Sequence, residues 1–261
     1  MIRQLFVPRP GHVFIAADYD QMELRVAGYL SGDPNMLQVF VNGEDIHAQA
    51  GASMYGIPLE QVSKAQRSVG KTQNFAVLYG AGEDKIAQVA GTSIRKALKL
   101  IDGYYEGFPL LEPWKRKVIK DAIALGDRRD PTIRPPVVLI PPYGRKRRLP
   151  GLFAHPDVQR GMYNRACRQA INSLVQGMAA NITKMAMINL APCLPEDTRM
   201  LAQVHDEILV ETPIARREEI LELVPWVMSN IFDPKTTGAP ILGEIPLTVS
   251  ANSGFSWAEA K

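Results

Sequence analysis

Strand-like apolar runs stand near the two ends of this 261-residue chain, and helical periodicity fills most of what lies between them. Residues 12–18 are apolar and follow Pro10-Gly11, as a strand follows a turn. Residues 200–204 and 208–212 are two more apolar runs, flanking His205-Asp206-Glu207 in what reads as a tight hairpin; residues 245–251 read as a last strand before a Trp257 tail. From about 21 to 31, Met22, Val26, Tyr29 and Leu30 recur at helical spacing up to Gly32-Asp-Pro34. Helical patterns dominate 35–126, with breaks at Gly43, Gly56-Ile-Pro58, Gly80-Ala-Gly82, Gly91 and Phe108-Pro109. Residues 126–156 hold Pro131, Pro135, Pro136, Pro141, Pro142, Pro150 and Pro156 and read as irregular. A long helix from about 157 to 191 stops at Pro192. Strands at both ends with helices between them predict an α+β fold: an antiparallel sheet backed by helices, with a mostly helical subdomain inserted.

The first strand raises a chemical question. Phe14-Ile-Ala-Ala17 is apolar, yet Asp18, Asp20 and Glu23 follow within six residues. Asp20-x-x-Glu23 has the spacing of a capping box, which accounts for Asp20 but leaves Asp18 unexplained. A carboxylate at the end of a core strand is costly unless it is paired or holds a metal. Asp206 stands at the tip of the proposed hairpin; if the strands are neighbours, it and Asp18 point at one spot and repel unless cations lie between them. Hard oxygen ligands suit Mg²⁺, bound through one or two carboxylates plus substrate phosphates. Two such ions roughly 3.5–4 Å apart serve phosphoryl transfer, which narrows the chemistry to polymerases, nucleases and phosphatases.

Two polar stripes bear on that choice. Arg67, Lys71, Phe75 and Tyr79 recur every four residues and so share one helix face. Two cations followed by two aromatics fit a triphosphate and then a stacked base. An amphipathic helix with core aromatics and snorkelling cations is the competing reading. Arg168, Asn172 and Gln176 repeat the spacing, suited either to minor-groove contacts or to a solvent-facing stripe, and Gly177 permits close approach by another backbone.

Charge distribution adds to this. Residues 115–148 hold eleven Lys or Arg and three acids, an excess of eight, against a net charge of +3 for the whole chain. Such a cluster suits phosphate contacts, or else a solvated basic loop. Cys167 and Cys193 are too few and too isolated for a disulfide framework or a cysteine zinc site. No apolar run reaches the roughly 20 residues that span a bilayer, and the N-terminus lacks secretory-signal features. The expectation is a cytoplasmic, reduced protein with no membrane partner.

At this point the chain resembles the family A DNA polymerases, the bacterial DNA polymerase I type. Asp18-Tyr-Asp-Gln-Met-Glu-Leu-Arg25 is similar to motif A, Arg67-x3-Lys71-x3-Phe75-x3-Tyr79-Gly80 to motif B, and Val204-His-Asp-Glu207 to motif C. Asp45-Ile-His47, Tyr143-Gly-Arg-x-Arg-Arg and Arg168-x3-Asn172-x3-Gln176-Gly177 resemble further family segments in the same order. The resemblance implies palm at 1–40, fingers at 41–165 and palm again at 166–261. It implies that Asp18 and Asp206 hold two Mg²⁺ ions, for which Mn²⁺ can substitute, with Glu207 nearby and Lys71 also catalytic. Gln21, Glu23, His47, Arg67, Lys71, Phe75 and Tyr79 would bind the dNTP, with Glu23 as a steric gate against a ribose 2′-OH. Arg145, Arg147, Arg148, Arg168, Asn172, Gln176 and His205 would contact primer–template DNA.

Asp20 stands where the family commonly has Ser. The family also places a thumb, an exonuclease-type domain and the first palm strands before motif A, which here stands almost at Met1. The leading expectation is therefore a DNA polymerase subunit working with a separately encoded, thumb-bearing upstream chain. A non-catalytic DNA-binding remnant or truncated copy is the alternative, and a two-metal nuclease leaves the Arg67–Tyr79 stripe without a purpose.

Overall fold

The computed structural model describes residues 2–80, 82–234 and 238–261. The break expected at Gly80-Ala-Gly82 includes Ala81, which lies outside the described residues. In chain order the elements are β1 (His12–Tyr19), α1 (Met22–Ser31), α2 (Pro34–Val41), α3 (Ile46–Tyr55), α4 (Lys64–Tyr79), α5 (Glu83–Ala90), α6 (Ile94–Gly107) and α7 (Leu111–Ala124). Then come β2 (Val137–Ile140), β3 (Arg145–Arg148), α8 (Arg160–Leu190), β4 (Arg199–Val204), β5 (Glu207–Pro213), α9 (Arg217–Ser229) and β6 (Val249–Gly254). They form two compact units, Met1–Met22 with Ala179–Lys261, and Glu23–Met178. The α+β expectation holds, with an antiparallel sheet flanked by helices and a largely helical region between its strands.

In the first unit the strand order is β4-β5-β1-β6, and every pairing is antiparallel. Strand β1 therefore has partners on both sides, and Val13–Ala17 are all buried. This explains its continuous apolar run, because a central strand covered on both faces does not alternate. The sheet is covered by α9, which buries Ile220, Val224, Val227 and Met228. The Tyr19 hydroxyl donates to the Met228 carbonyl at 2.7 Å. Burial and the nearby Asp206 charge push the Tyr19 phenol well above its ordinary range, so it remains a donor.

The second unit is built largely from helices. Helices α3 and α4 pack so closely that a Cβ on Gly70 would lie 2.4 Å from the His47 carbonyl oxygen and 2.6 Å from the Gly51 nitrogen. Ser63 caps α4: its hydroxyl accepts from the Gln66 backbone N–H at 3.3 Å while the Gln66 side chain accepts from the Ser63 N–H at 2.9 Å. At the other end Gly80 takes the left-handed conformation (φ 76°) that closes a helix.

Three expectations need correcting. Residues 126–156 are not wholly irregular, because β2 and β3 pair antiparallel from Val137↔Arg148 to Ile140↔Arg145. Pro135-Pro136 precedes the first strand and Pro141-Pro142 lies in the turn, so the prolines border the hairpin without interrupting its ladder. The last strand begins at Val249 and not at 245, since the Ile245 N–H turns back to the Leu242 carbonyl and Pro246 has no N–H to give. At Gly177 the close neighbour is a side chain, not a backbone: a Cβ there would lie 2.7 Å from Ile140 Cγ2.

Candidate active site

Asp18 is the penultimate residue of β1 and Glu207 the first of β5, and the sheet register sets them opposite each other. Asp206 is the residue before Glu207, in the two-residue turn from β4 to β5. His205 begins that turn in the left-handed region at φ 57°, and Gln203 Nε2 donates to its carbonyl at 2.7 Å. A tight turn between paired strands thus brings three acidic residues to one end of the sheet, where backbone hydrogen bonding limits their movement.

Among the described residues no group of three or more His, Cys, Asp or Glu side chains is disposed to hold a metal ion. Two carboxylates nonetheless suffice for Mg²⁺, which takes its remaining ligands from water and substrate phosphate. A cation already sits here: the Lys261 ammonium donates to Asp18 Oδ2 at 2.7 Å and also to Glu207 Oε2. Trp257 Nε1–H donates to the other Glu207 oxygen, Oε1, at 2.6 Å. The carboxylates therefore fit a divalent cation by charge and donor type, and the ammonium supplies part of that charge. Nothing in the sequence pattern singles out Lys261 or Trp257; each lies far from the motifs and reaches them only through the fold.

The flanking residues have their own partners. The Ser250 hydroxyl donates to Asp20 Oδ1 at 2.7 Å, tying that carboxylate to β6. Helix α1 opens at Met22, after Gln21 in the left-handed region at φ 54°, so Asp20 lies two residues ahead of the helix. The Glu23 carboxylate accepts from the Tyr79 hydroxyl. Gln176 Nε2 in turn donates to the Tyr79 oxygen at 3.2 Å, making a relay from α8 through α4 to α1.

Along α4 the four-residue stripe faces outward. Lys71, Phe75 and Tyr79 are exposed and Arg67 is half-buried, while Val69, Gly70, Gln73, Asn74, Ala76, Val77 and Leu78 are buried. The aromatics are therefore not core residues: Phe75 is 39% exposed and Tyr79 41%, with ring centroids 6.3 Å apart. Arg67 Nε donates to Asp45 Oδ2 at 2.5 Å. Burial raises the Asp45 carboxyl, but the Arg67 bond and the Ala48 and His47 backbone N–H groups outweigh it and hold the carboxyl below its ordinary value.

His47 sits under this face, buried, with its ring 6.0 Å from Phe75. Burial is the largest cause lowering its pKa to about 4; Asp45 pulls upward, while Arg67 and Lys71 push down. The imidazole is thus neutral at pH 7, and its neighbours fix the tautomer. The Tyr104 hydroxyl donates to Asn74 Oδ1 at 2.9 Å, and Asn74 Nδ2 donates to the Ile46 carbonyl at 3.2 Å and to His47 Nδ1 at 2.9 Å. Nδ1 therefore accepts, which puts the proton on Nε2. Asn74 lies within the motif B segment, but nothing in its spacing marks it, and Tyr104 carries no sequence signal at all.

On α8, Arg168 and Gln176 are exposed and Asn172 is half-buried, its Oδ1 enclosed without a hydrogen-bond partner. Gly80 accommodates Arg168, whose Cδ lies 2.0 Å from where a Gly80 Cβ would stand. Arg145, Arg147 and Arg148 are exposed along β3 together with Lys146, and Arg145 also donates to the Gly177 carbonyl at 3.4 Å. Cys167 and Cys193 are free thiols. Among the described residues no helix is long and apolar enough to cross a membrane.

Comparison with known proteins gives a consistent result. Residues 1–259 match the profile described as DNA polymerase family A. The chain is similar along its whole length to the thermostable DNA polymerase I of Thermus thermophilus, at 37% identity over 261 residues. It is 36% identical to that of Thermus aquaticus and 35% identical to DNA polymerase I of Deinococcus radiodurans. It spans only 28%, 29% and 25% of those three relatives. Among solved structures, the POL domain of Pol1 from M. smegmatis, in complex with DNA primer-template and dNTP, superimposes with a TM-score of 0.82 at 30% identity. That match covers 99% of this chain and 42% of the other.

Proposed function

Because this chain belongs to DNA polymerase family A, we propose that it carries the catalytic part of a template-directed DNA polymerase and adds deoxynucleotides to a primer 3′-OH. The observation that carries this reading is the set of acids at one end of the sheet, Asp18 opposite Glu207 with Asp206 beside it in the turn. Palm function is assigned to 1–40 and 166–261 and fingers function to 41–165, whereas the compact units divide after Met22 and Met178.

Asp18 and Asp206 are the residues for two Mg²⁺ ions. When bound, such ions supply charge neutralisation at the α-phosphate and lower the pKa of the attacking hydroxyl. The rest falls to this chain's own side chains. Lys71 and Arg67 neutralise the triphosphate, and neutral His47 donates from Nε2–H to a phosphate oxygen without adding charge. Phe75 and Tyr79, exposed on α4, offer faces for the incoming base, with Gln21 beside the nucleotide. The Tyr79 hydroxyl holds the Glu23 carboxylate as a gate against a 2′-OH. Arg168, Asn172, Gln176 and His205 contact the primer–template near its end, and Arg145, Arg147 and Arg148 contact its phosphates. The 3′-OH attacks the α-phosphate, the bond to the bridging oxygen breaks, and pyrophosphate leaves; positioning and charge carry most of such a reaction.

The chain spans about 28% of the length of its Thermus thermophilus relative. As a partner we further propose a polypeptide that supplies a thumb and an exonuclease-type domain. Primer extension by the chain alone and with the neighbouring gene product, beside an Asp206→Ala control, tests it. Extension that Asp206→Ala abolishes supports the reading. Extension that survives Asp206→Ala rejects the site, and no extension in either pairing favours a non-catalytic DNA-binding remnant.

A further inference from the structure

Glu207 is 2% exposed, and both of its oxygens have donors from the segment Gly254–Lys261. That segment is firmly seated. A Cβ on Gly254 would lie 2.4 Å from Glu259 Cβ and 2.6 Å from the Ala260 nitrogen, so the chain folds back tightly there. Glu259 Oε2 accepts the Phe255 N–H at 2.9 Å, and Ser256 Oγ accepts the Glu259 N–H at 3.2 Å. Ala260, 1% exposed, packs in a core cluster with Phe14, Ala16 and Leu209. Trp257 donates its backbone N–H to the Phe6 carbonyl at 3.0 Å and sets its ring edge-on to Phe6. The Lys261 ammonium therefore reaches Asp18 and Glu207 from an anchored backbone. A lysine ammonium carries its positive charge at neutral pH.

We propose that Lys261 is a tethered counter-ion of the catalytic carboxylates, holding Asp18 beside Glu207 without a divalent cation and competing with that cation for Asp18. The inference rests on the reading of Asp18 as a metal ligand. Two carboxylates facing each other across adjacent strands repel unless a positive charge joins them. Here the chain carries that charge itself. Glu207, with Oε1 on Trp257 and Oε2 on Lys261, becomes the positioning residue that keeps the ammonium in place. Lys261 then sets how readily the site gives way to a metal ion: Asp18 Oδ2 must leave the ammonium before it can ligate, while Trp257 keeps Glu207 oriented.

The test is Mn²⁺ binding to the whole chain, followed by the electron-paramagnetic signal of free Mn²⁺, together with thermal unfolding in EDTA. Lys261→Met is expected to bind Mn²⁺ roughly 3- to 30-fold more tightly, the range for losing one competing, partly exposed charge. It should also unfold at lower temperature than wild type in EDTA, with the gap narrowing as Mn²⁺ is added. Lys261→Arg should restore both properties toward wild type. Lys261→Gln, which keeps a donor but no charge, should follow Lys261→Met and carries the test if the Met variant does not fold. Unchanged or weaker Mn²⁺ affinity in the uncharged variants overturns the proposal, as does an unchanged melting temperature in EDTA. Asp18→Ala separates this from the underlying reading: if it binds Mn²⁺ as tightly as wild type, the metal-site assignment fails whatever Lys261 does.

Discussion

At the scale of single residues, the outcome at His47 depends on side chains that no motif spacing marks. Tyr104 orients the Asn74 amide, and Asn74 decides which imidazole nitrogen carries the proton. Because the folded pKa is about 4 against roughly 6.5 in the unfolded chain, protons bind the unfolded state preferentially between those values. Stability contributed through His47 is thus complete above about pH 6.5 and is lost as pH falls toward about 4. His47→Gln should flatten the melting temperature over that window relative to wild type. Asn74→Asp places a carboxylate at Nδ1 and should raise the His47 pKa, moving its imidazole resonances to a higher midpoint in an NMR titration. A midpoint still near 4 would show that Asn74 does not control the ring. Sequence alone marks His47 through Asp45-Ile-His47, but tautomer and charge depend on burial and on a hydrogen bond from the distant Tyr104 to Asn74.

Among the elements, α4 is where the sequence reads most directly. The four-residue repeat of Arg67, Lys71, Phe75 and Tyr79 fixes a face and the break at Gly80 marks its C-terminal end, while the Ser63–Gln66 cap at its start emerges only in the structure. What the repeat cannot tell is which way the face points. Gly70 answers that, since α4 lies against α3 on the side where no side chain fits. Gly70→Ala gains roughly 0.8 kcal/mol of helix propensity but drives a methyl into the His47 carbonyl. The clash should win by about 1–3 kcal/mol of net destabilisation, measured by denaturant unfolding. A neutral or stabilising result would mean that α3 and α4 are not packed this tightly. The β2–β3 hairpin was illegible for the opposite reason: proline density around it masked four-residue strands whose ladder the prolines only border. Helix α9 escaped the reading too, its apolar face interrupted by Pro225.

For the whole molecule, the two strand-bearing ends and the helical middle were visible in the apolar runs, because strand and helix periods differ. Which strands are neighbours was not: β1 pairs with β5 and β6, both from the far end of the chain, and the meeting of Asp18 with Glu207 follows only from that register. The basic excess in 115–148 also resolves in part onto one strand, β3, with four exposed cations. If β3 lies along phosphates, replacing Arg145, Arg147 and Arg148 together by Ala should lower the slope of log K against log salt for duplex DNA by about 2–3, near 0.9 for each phosphate no longer neutralised. An unchanged slope would leave β3 as a solvated hairpin.

The most direct test of the central claim is single-nucleotide incorporation on a labelled primer–template, with DNA binding measured in the same samples. Wild type, Asp18→Ala and Asp206→Ala are each assayed alone and with the proposed thumb-bearing partner. Wild type is expected to add the deoxynucleotide complementary to the template, and both variants to keep DNA binding but lose incorporation to background. Incorporation that persists in either variant, or that ignores the template base, would contradict the central claim.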